Sequence, residues 1–417
     1  MSSIRRSQLP SARRDPGAAT SPQSMRERNL HALLDVFWSN ADSSLTAKEL
    51  MDASGLTRAS VLDICRALDN LGWITEGAGA RADTPGRRAR QFQFNPARSL
   101  VVGADVNYTS VSAVVADLAG RILGSAKREF AAGYPWESRS DHLGTTISAA
   151  LSDAGVSTGR IETVCVGLGS PLDETGKAPR RNPLWDAVKV EASSFLPEQA
   201  DWQILVENDA NLAAWAERGS GRVDPESTFV TLLADELLGC GIVFEGRLQR
   251  GAHGVAGEMG FATNIRDVEN VEGIGSVWGY YRDELQQSGK PAREGVTAVD
   301  ILLAAQQGDP VASAAVRRTA DRLAKAIAVI AFLIDPGVVV VAGRFAEHAG
   351  RLVEMINWRL TDLRAPSPPT VITSALGGDV VLRGAIEMAI DDIRAGVSFA
   401  ANDDGPPEGT PRKARRG

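Results

Sequence analysis

The chain has 417 residues, of which 43% are hydrophobic and 23% charged, with a formal net charge of −7. At ~100–200 residues per domain this allows two or three domains with sizeable cores. No run of ~18 apolar residues occurs, so no membrane-spanning helix is expected, and the three cysteines lie too far apart for a disulfide framework or a Cys-x-x-Cys knuckle.

Such cysteine usage fits a reducing cytoplasm, and the first residues lack the apolar stretch of a secretion signal. The charge is uneven. Residues 1–98 hold 14 of the 45 Lys and Arg and 10 of the 52 Asp and Glu, a balance of +4, which leaves −11 for the remainder. A small basic module on a larger acidic body suits a DNA-binding head joined to a ligand-binding domain.

In chain order, residues 1–24 are rich in Ser, Pro, Arg and Ala without apolar periodicity and are read as a disordered basic tail. Residues 25–72 predict three helices. The first carries Leu30, Leu33, Leu34 and Phe37 at helical spacing. Thr46-Ala47-Lys48-Glu49 is a capping box that opens the second. Gly55 turns the chain, and Thr57 caps a third helix with Val61, Ile64, Cys65, Leu68 and Leu71 on its buried face. Two short apolar runs follow, Trp73–Thr75 and Gln91–Phe94, around a Gly- and Arg-rich stretch at residues 77–90. Three helices and a two-stranded hairpin make a winged helix-turn-helix over residues 25–98.

In that geometry the third helix enters the major groove. Arg58, Ser60 and Asp63 are the exposed positions for base edges, with Arg66 on phosphate. Arg87 and Arg88, beside Gly86 in the wing, suit a narrow minor groove.

From Leu100 the pattern changes. Three strands with tight turns are predicted over Leu100–Asp105, Thr109–Asp117 and Gly120–Phe130. A helix and a buried strand, Thr163–Leu168, come next. A second set of short strands begins about 125 residues later (Thr228–Ala234, Gly241–Phe244, Arg247–Gln249). Long helices and an apolar strand, Val338–Ala342, complete it. The repetition suggests two α/β lobes, residues 99–225 and 226–395, around a cleft. Residues 396–417 read as a second disordered tail.

The helix-turn-helix, the wing, Leu100–Asp117 and then Glu207-Asn208-Asp209-Ala210-Asn211 together resemble the ROK family (repressors, open reading frames, sugar kinases), on its regulator branch. The resemblance implies an α/β, two-lobed, actin-like/ribonuclease H-like sugar-kinase fold behind a winged helix-turn-helix. It also implies a sugar in the cleft, homo-oligomers (dimers or tetramers), and a last helix that packs back on the first lobe.

On the sugar side, Gly169-Ser170-Pro171 resembles the family's Gly-x-Pro turn and Arg181-Asn182-Pro183 its Asn-containing loop. Asn182, Asn208, Asp209, Glu258 and Glu272 are the sugar-binding residues this implies. In family kinases the Asp matching Asp209 takes the proton of the sugar hydroxyl. Carboxylates and amides suit a polyol because they pair its O–H groups. Taken singly, each residue also suits a surface carboxylate or a helix cap, and Asp209 precedes an Ala-rich helix.

The phosphate side departs from the kinase pattern. Where kinases have Asp-x-Gly-Gly-Thr, this chain has Asp105-Val106-Asn107-Tyr108-Thr109. Their Gly-Thr-Gly-x-Gly stands here as Ala234-Asp235-Glu236-Leu237-Leu238-Gly239, and a glycine pair as Gly343-Arg344. Phosphoryl transfer rests on positioning and charge stabilisation, and carboxylates repel phosphate. Many relatives place His after Gly-Glu-x-Gly and then a Cys-rich zinc segment. Here Phe261 follows Gly257-Glu258-Met259-Gly260, and residues 262–271 hold no Cys or His, so no metal is expected.

The expectation is a cytoplasmic, sequence-specific DNA-binding regulator, a repressor of carbohydrate-related genes. It has no catalytic residues and no cofactor. Its partners are a palindromic operator and a sugar or sugar phosphate effector, with no membrane. The alternatives are an active ATP-dependent sugar kinase with a DNA-binding appendage, and a regulator whose pocket no longer responds to sugars.

Overall fold

The structure is a computed structural model. It describes residues 4–5, 22–78, 90–131, 135, 138–173, 175–177, 201–260, 272–291, 295–363 and 367–397. The chain divides into two compact units, one of residues 1–8, 101–115 and 122–391, the other of residues 9–100, 116–121 and 392–417.

The second unit holds α1 (Pro22–Ser39), β2 (Ser44–Thr46), α2 (Ala47–Ser54), α3 (Arg58–Asn70), β3 (Ile74–Ala78) and β4 (Arg90–Phe94). The capping box forms as the sequence predicts: the Glu49 amide donates to Thr46 Oγ1 at 3.3 Å, and Glu49 Oε2 accepts from the Thr46 amide at 2.7 Å. Gly55 ends α2 at φ 69°, in the left-handed region where a side chain costs most. Thr57 then caps α3.

Strands β2, β4 and β3 form a sheet in that order, antiparallel throughout. Leu33, Phe37, Leu50, Leu68 and Phe94 are fully buried beneath it. The same unit takes in the turn at 116–121 and the chain after 392. The Trp38 indole donates to the Leu118 carbonyl at 3.0 Å, and Arg394 pairs with Asp35 at 2.8 Å.

The first unit contains two sheets of one design. The first has the order β1-β9-β8-β5-β6-β7, with β1 (Ile4–Arg5), β5 (Leu100–Val106), β6 (Ser110–Asp117), β7 (Ile122–Glu129), β8 (Ile161–Leu168) and β9 (Gln203–Asn208). The second has the order β12-β11-β10-β13-β14, with β10 (Phe229–Ala234), β11 (Leu238–Phe244), β12 (Arg247–Leu248), β13 (Val338–Ala342) and β14 (Thr370–Thr373). In each, a run of three consecutive strands (β5-β6-β7 and β10-β11-β12) starts next to the centre and goes to one edge, and the next two strands in the sheet (β8-β9 and β13-β14) lie on the other side, with β1 added beyond β9. Strands β5, β6 and β10 are buried along their whole length, the uninterrupted apolar pattern of strands covered on both faces.

Helices connect and cover the sheets. They are α4 (Leu143–Ala154), α5 (Asp209–Gly219), α6 (Val277–Gln287), α7 (Ala298–Gln306), α8 (Pro310–Ile334), α9 (Gly350–Asp362) and α10 (Val380–Gly396). α10 packs back on the first sheet. A Cβ on Gly103 of β5 would meet Leu382 O at 2.9 Å, and one on Gly384 of α10 would lie 1.9 Å from Leu212 O of α5. No helix among the described residues is long and apolar enough to cross a membrane.

One expectation needs correction. Residues 1–24 were read as disordered, yet Ile4–Arg5 pair in parallel with Ile204 and Leu205 of β9, and α1 begins at Pro22. The physical reason is that β9 otherwise presents an unpaired sheet edge, and a short extended segment satisfies it.

Candidate functional site

The end of β9 and the start of α5 form one half of the site. Asn208 is extended (φ −65°, ψ 138°) and caps α5: its Oδ1 accepts from the Asn211 amide at 3.1 Å, and its Nδ2 donates to Ser170 O at 3.2 Å. Both polar ends of Asn208 therefore hold the loop and the helix in place. Asp209 follows, with Oδ1 accepting from the Ala210 amide at 2.7 Å.

Behind them Glu207 is 1% exposed. Its Oε1 accepts from the Asn208 amide at 3.0 Å and from Asn211 Nδ2 at 2.9 Å, while its Oε2 pairs with Arg250 Nε at 2.6 Å. Sequence reasoning missed this ion pair, because 43 residues separate its partners.

Arg250 opens the loop that carries Glu258. The loop closes through Ala256 N donating to Arg250 O at 3.2 Å. It lies tight on β11, where a Cβ on Gly257 would stand 2.0 Å from Cys240 O. The start of α5 lies equally tight on the same strand, where a Cβ on Gly241 would stand 2.1 Å from Ala210 O. The Glu207–Arg250 pair thus ties the segment bearing Asp209 to the one bearing Glu258.

Four carboxylates interact at this place. Burial and the Asp105, Glu258 and Asp235 charges push Asp209 up to about 8, against one opposing amide bond. Asp105 at the end of β5 is raised to about 7, mainly by burial and also by Asp235, against the Asn107 bond and the Lys127 charge. Asp235 and Glu258 are raised as well, burial being the main cause for each. A group of this kind is suited to exchange a proton with, or accept one from, a ligand hydroxyl.

The turns that carry Asp105 and Asp235 are tied by the chain's own hydrogen bonds. In the β5–β6 turn Asn107 Oδ1 accepts from the amides of Thr109 and Ser110, both at 2.9 Å, and Asn107 Nδ2 donates to Asp105 Oδ2 at 2.7 Å. Tyr108 stands half exposed, with the Arg139 guanidinium 4.8 Å from its ring centre. In the β10–β11 loop Asp235 Oδ1 accepts from the Arg344 amide at 2.8 Å, and Glu236 pairs with the Arg344 guanidinium. Gly343 has φ 107°, and a Cβ there would strike the Asp235 carboxylate at 2.3 Å.

The remaining predicted residues separate. Glu272 is exposed, bridges Leu237 through the backbone, and lines a hollow of about 320 Å³ with Ser276, Trp278, Tyr280 and Arg282; Asn208, Asp209 and Glu258 are not among its lining residues. Asn182 lies outside the described residues, as do Arg87 and Arg88. On α3, Arg58 and Arg66 are exposed and Ser60 half-buried; the Ser60 amide donates to the Thr57 hydroxyl at 3.3 Å. Asp63 pairs with Arg26 at 3.3 Å and with Arg66 at 3.7 Å, so its charge is already met.

The donor set does not fit the zinc that the family resemblance raises. The segment after Gly260 supplies no Cys or His, and burial raises the Cys65 and Cys240 thiols to about 12, far from the thiolate a metal requires.

Two sheets of like strand order and an Asp at a helix start beside a group of buried carboxylates fit a protein body of the sugar-kinase, actin-like type. The chain belongs to the ROK family, whose model matches residues 101–392. It is 28% identical over 333 residues to a glucokinase of Streptomyces coelicolor, covering 70% of this chain and 97% of that protein. It is 23% identical over 366 residues to a xylose repressor of Caldicellulosiruptor bescii, covering 83% and 91%. The solved structure of a ROK family transcriptional regulator, a homologue of the Escherichia coli MLC protein, superposes with a TM-score of 0.65 at 20% identity over 89% of this chain and 98% of that one.

Proposed function

We propose that the protein is a DNA-binding transcriptional regulator, a repressor, whose kinase-type body senses a sugar without phosphorylating it. The observation that carries this reading is the state of the amides at the nucleotide end. A kinase needs them free to cradle phosphates. Here Thr109 and Ser110 donate to Asn107, and the Arg344 amide donates to Asp235. The extent of the matches agrees with it: the glucokinase match covers 70% of the chain and the repressor match 83%.

We read α1–α3 and the β2-β4-β3 sheet as a winged helix-turn-helix with α3 in the major groove. Arg58 faces base edges and Arg66 phosphate. Asp209 and Glu258 make the core of the sugar site, with Asn208 positioning the start of α5 beside them. The assembly is a homo-oligomer on a palindromic operator, in the cytoplasm. Sugar binding shifts the population of lobe arrangements and with it operator affinity, by as much as its affinity differs between them.

The test is titration of the full chain onto its upstream DNA at fixed salt, with and without sugars, because phosphate contacts make affinity salt-dependent. A shift by one sugar that Asp209→Ala abolishes supports the reading. DNA binding that no sugar changes points to a regulator whose pocket no longer responds. The higher identity to the glucokinase favours a second reading, a kinase with a DNA-binding head; sugar-dependent ADP release in a coupled assay would establish it.

A further inference from the structure

The charge of the effector can be read from the groups around Asp209. Asp105, Asp235 and Glu258 all act on it electrostatically. Asp105 is 7% exposed, and its Oδ1 has no hydrogen-bond partner among the described residues. A buried acceptor left so is costly unless a donor reaches it. It therefore calls for an O–H or N–H from outside the chain.

Three cations of this region are engaged with carboxylates, and the buried Arg139 guanidinium lies over the Tyr108 ring, 4.8 Å from its centre. Lys127 pairs with Glu129 at 2.8 Å, Arg344 with Glu236, and Arg250 with Glu207 at 2.6 Å. The turn amides that could hold an anion donate to Asn107 and Asp235. The place offers acceptors and asks for donors.

Resting on the reading that a sugar hydroxyl lies against Asp209, we propose that the cleft selects an uncharged sugar and rejects the same sugar phosphorylated on that hydroxyl. A hydroxyl brings a proton to the carboxylates. A phosphate monoester brings about two negative charges and three acceptor oxygens to the same spot, where no donor awaits it among the described groups named above.

The experiment is calorimetric titration of the full chain at pH 9, above the values of about 8 and about 7 at which Asp209 and Asp105 lose their protons, with neutral pentoses and hexoses, D-glucose and D-xylose among them, and with their terminal phosphates. The expected result is that one neutral sugar binds and its phosphate binds at least thirtyfold more weakly. Asp235→Asn keeps an acceptor for the Arg344 amide while removing one charge, and should narrow that gap at least threefold. A phosphate that binds as well as its parent sugar, or a gap that Asp235→Asn leaves unchanged, overturns the proposal while the sugar site stands. If neither sugars nor phosphates bind, the sugar reading falls and takes this proposal with it.

Discussion

Replacing Arg250 by Met removes the partner of a carboxylate that is 1% exposed. Breaking one side of a buried ion pair costs about 3–5 kcal/mol, because the remaining charge keeps its desolvation penalty. Glu207 retains two N–H donors, from Asn208 and Asn211, so the lower end, about 3 kcal/mol, is expected. Urea unfolding of the full chain, followed by circular dichroism, measures it as a fall in the transition midpoint of the larger unit. The double variant Glu207→Gln/Arg250→Met has no charge left to strand and should recover to within ~1–2 kcal/mol of the parent. Sugar affinity should remain impaired in both, since the loop bearing Glu258 has lost its tie to the start of α5. A single variant within about 0.5 kcal/mol of the parent, or a double variant no better than the single one, would refute this account of the pair.

Three further outcomes are expected. Asp209 titrates at about 8 and Asp105 at about 7 in the folded chain, against about 3.9 unfolded, so the folded state holds more protons between those values. The stability this gives is full below pH ~4 and is lost as pH rises to 8; Asp209→Asn should therefore raise the thermal midpoint relative to the parent more at pH 8.5 than at pH 5, and an equal offset at both would contradict it. Thr46→Ala removes the cap of α2 and should cost the smaller unit about 1 kcal/mol, read as a lowered local melting transition or faster amide exchange in α2. Arg58→Ala should weaken operator binding by about 1–3 kcal/mol with loss of preference at one base position, whereas a uniform loss across sequences would place Arg58 on phosphate instead.

The sequence made the local features legible. Capping boxes, glycine turns and apolar runs act over a few residues, so α2, α3 and most strands from β3 to β13 lie close to where periodicity puts them, whereas β2, a third strand beside the expected hairpin, is not among the expected strands. The sugar-side motif around Asp209 was readable for the same reason, since one strand end and one helix start carry it. Interactions between distant segments were not. Nothing near Asp235 announces that its carboxylate takes an amide 109 residues away, and nothing near Glu207 announces Arg250. Asp105 was seen as the remnant of a phosphate turn, but its membership in the carboxylate group depends on the two sheets meeting. The parallel pairing of Ile4–Arg5 with β9 was hidden because a two-residue strand in a polar tail has no periodicity to detect.

The two ends of the cleft differ in what they leave available. At the Asp209 end, backbone approach does the positioning: glycines at 241 and 257 let α5 and the Glu258 loop sit directly on β11, so the carboxylates are held by main chain rather than by each other. Their raised pKa values follow mainly from burial, with the neighbouring carboxylates adding to it, and the Lys127 and Arg344 charges offset only part of the rise. At the other end the side chains of Asn107, Asp235 and Glu236 consume the amides and the guanidinium that a nucleotide would use. A fold that needs both ends for phosphoryl transfer can use the first alone for recognition, since a polyol requires acceptors and shape but no phosphate cradle. On the proposed reading, loss of the nucleotide turns removes turnover and leaves the differential binding on which regulation depends.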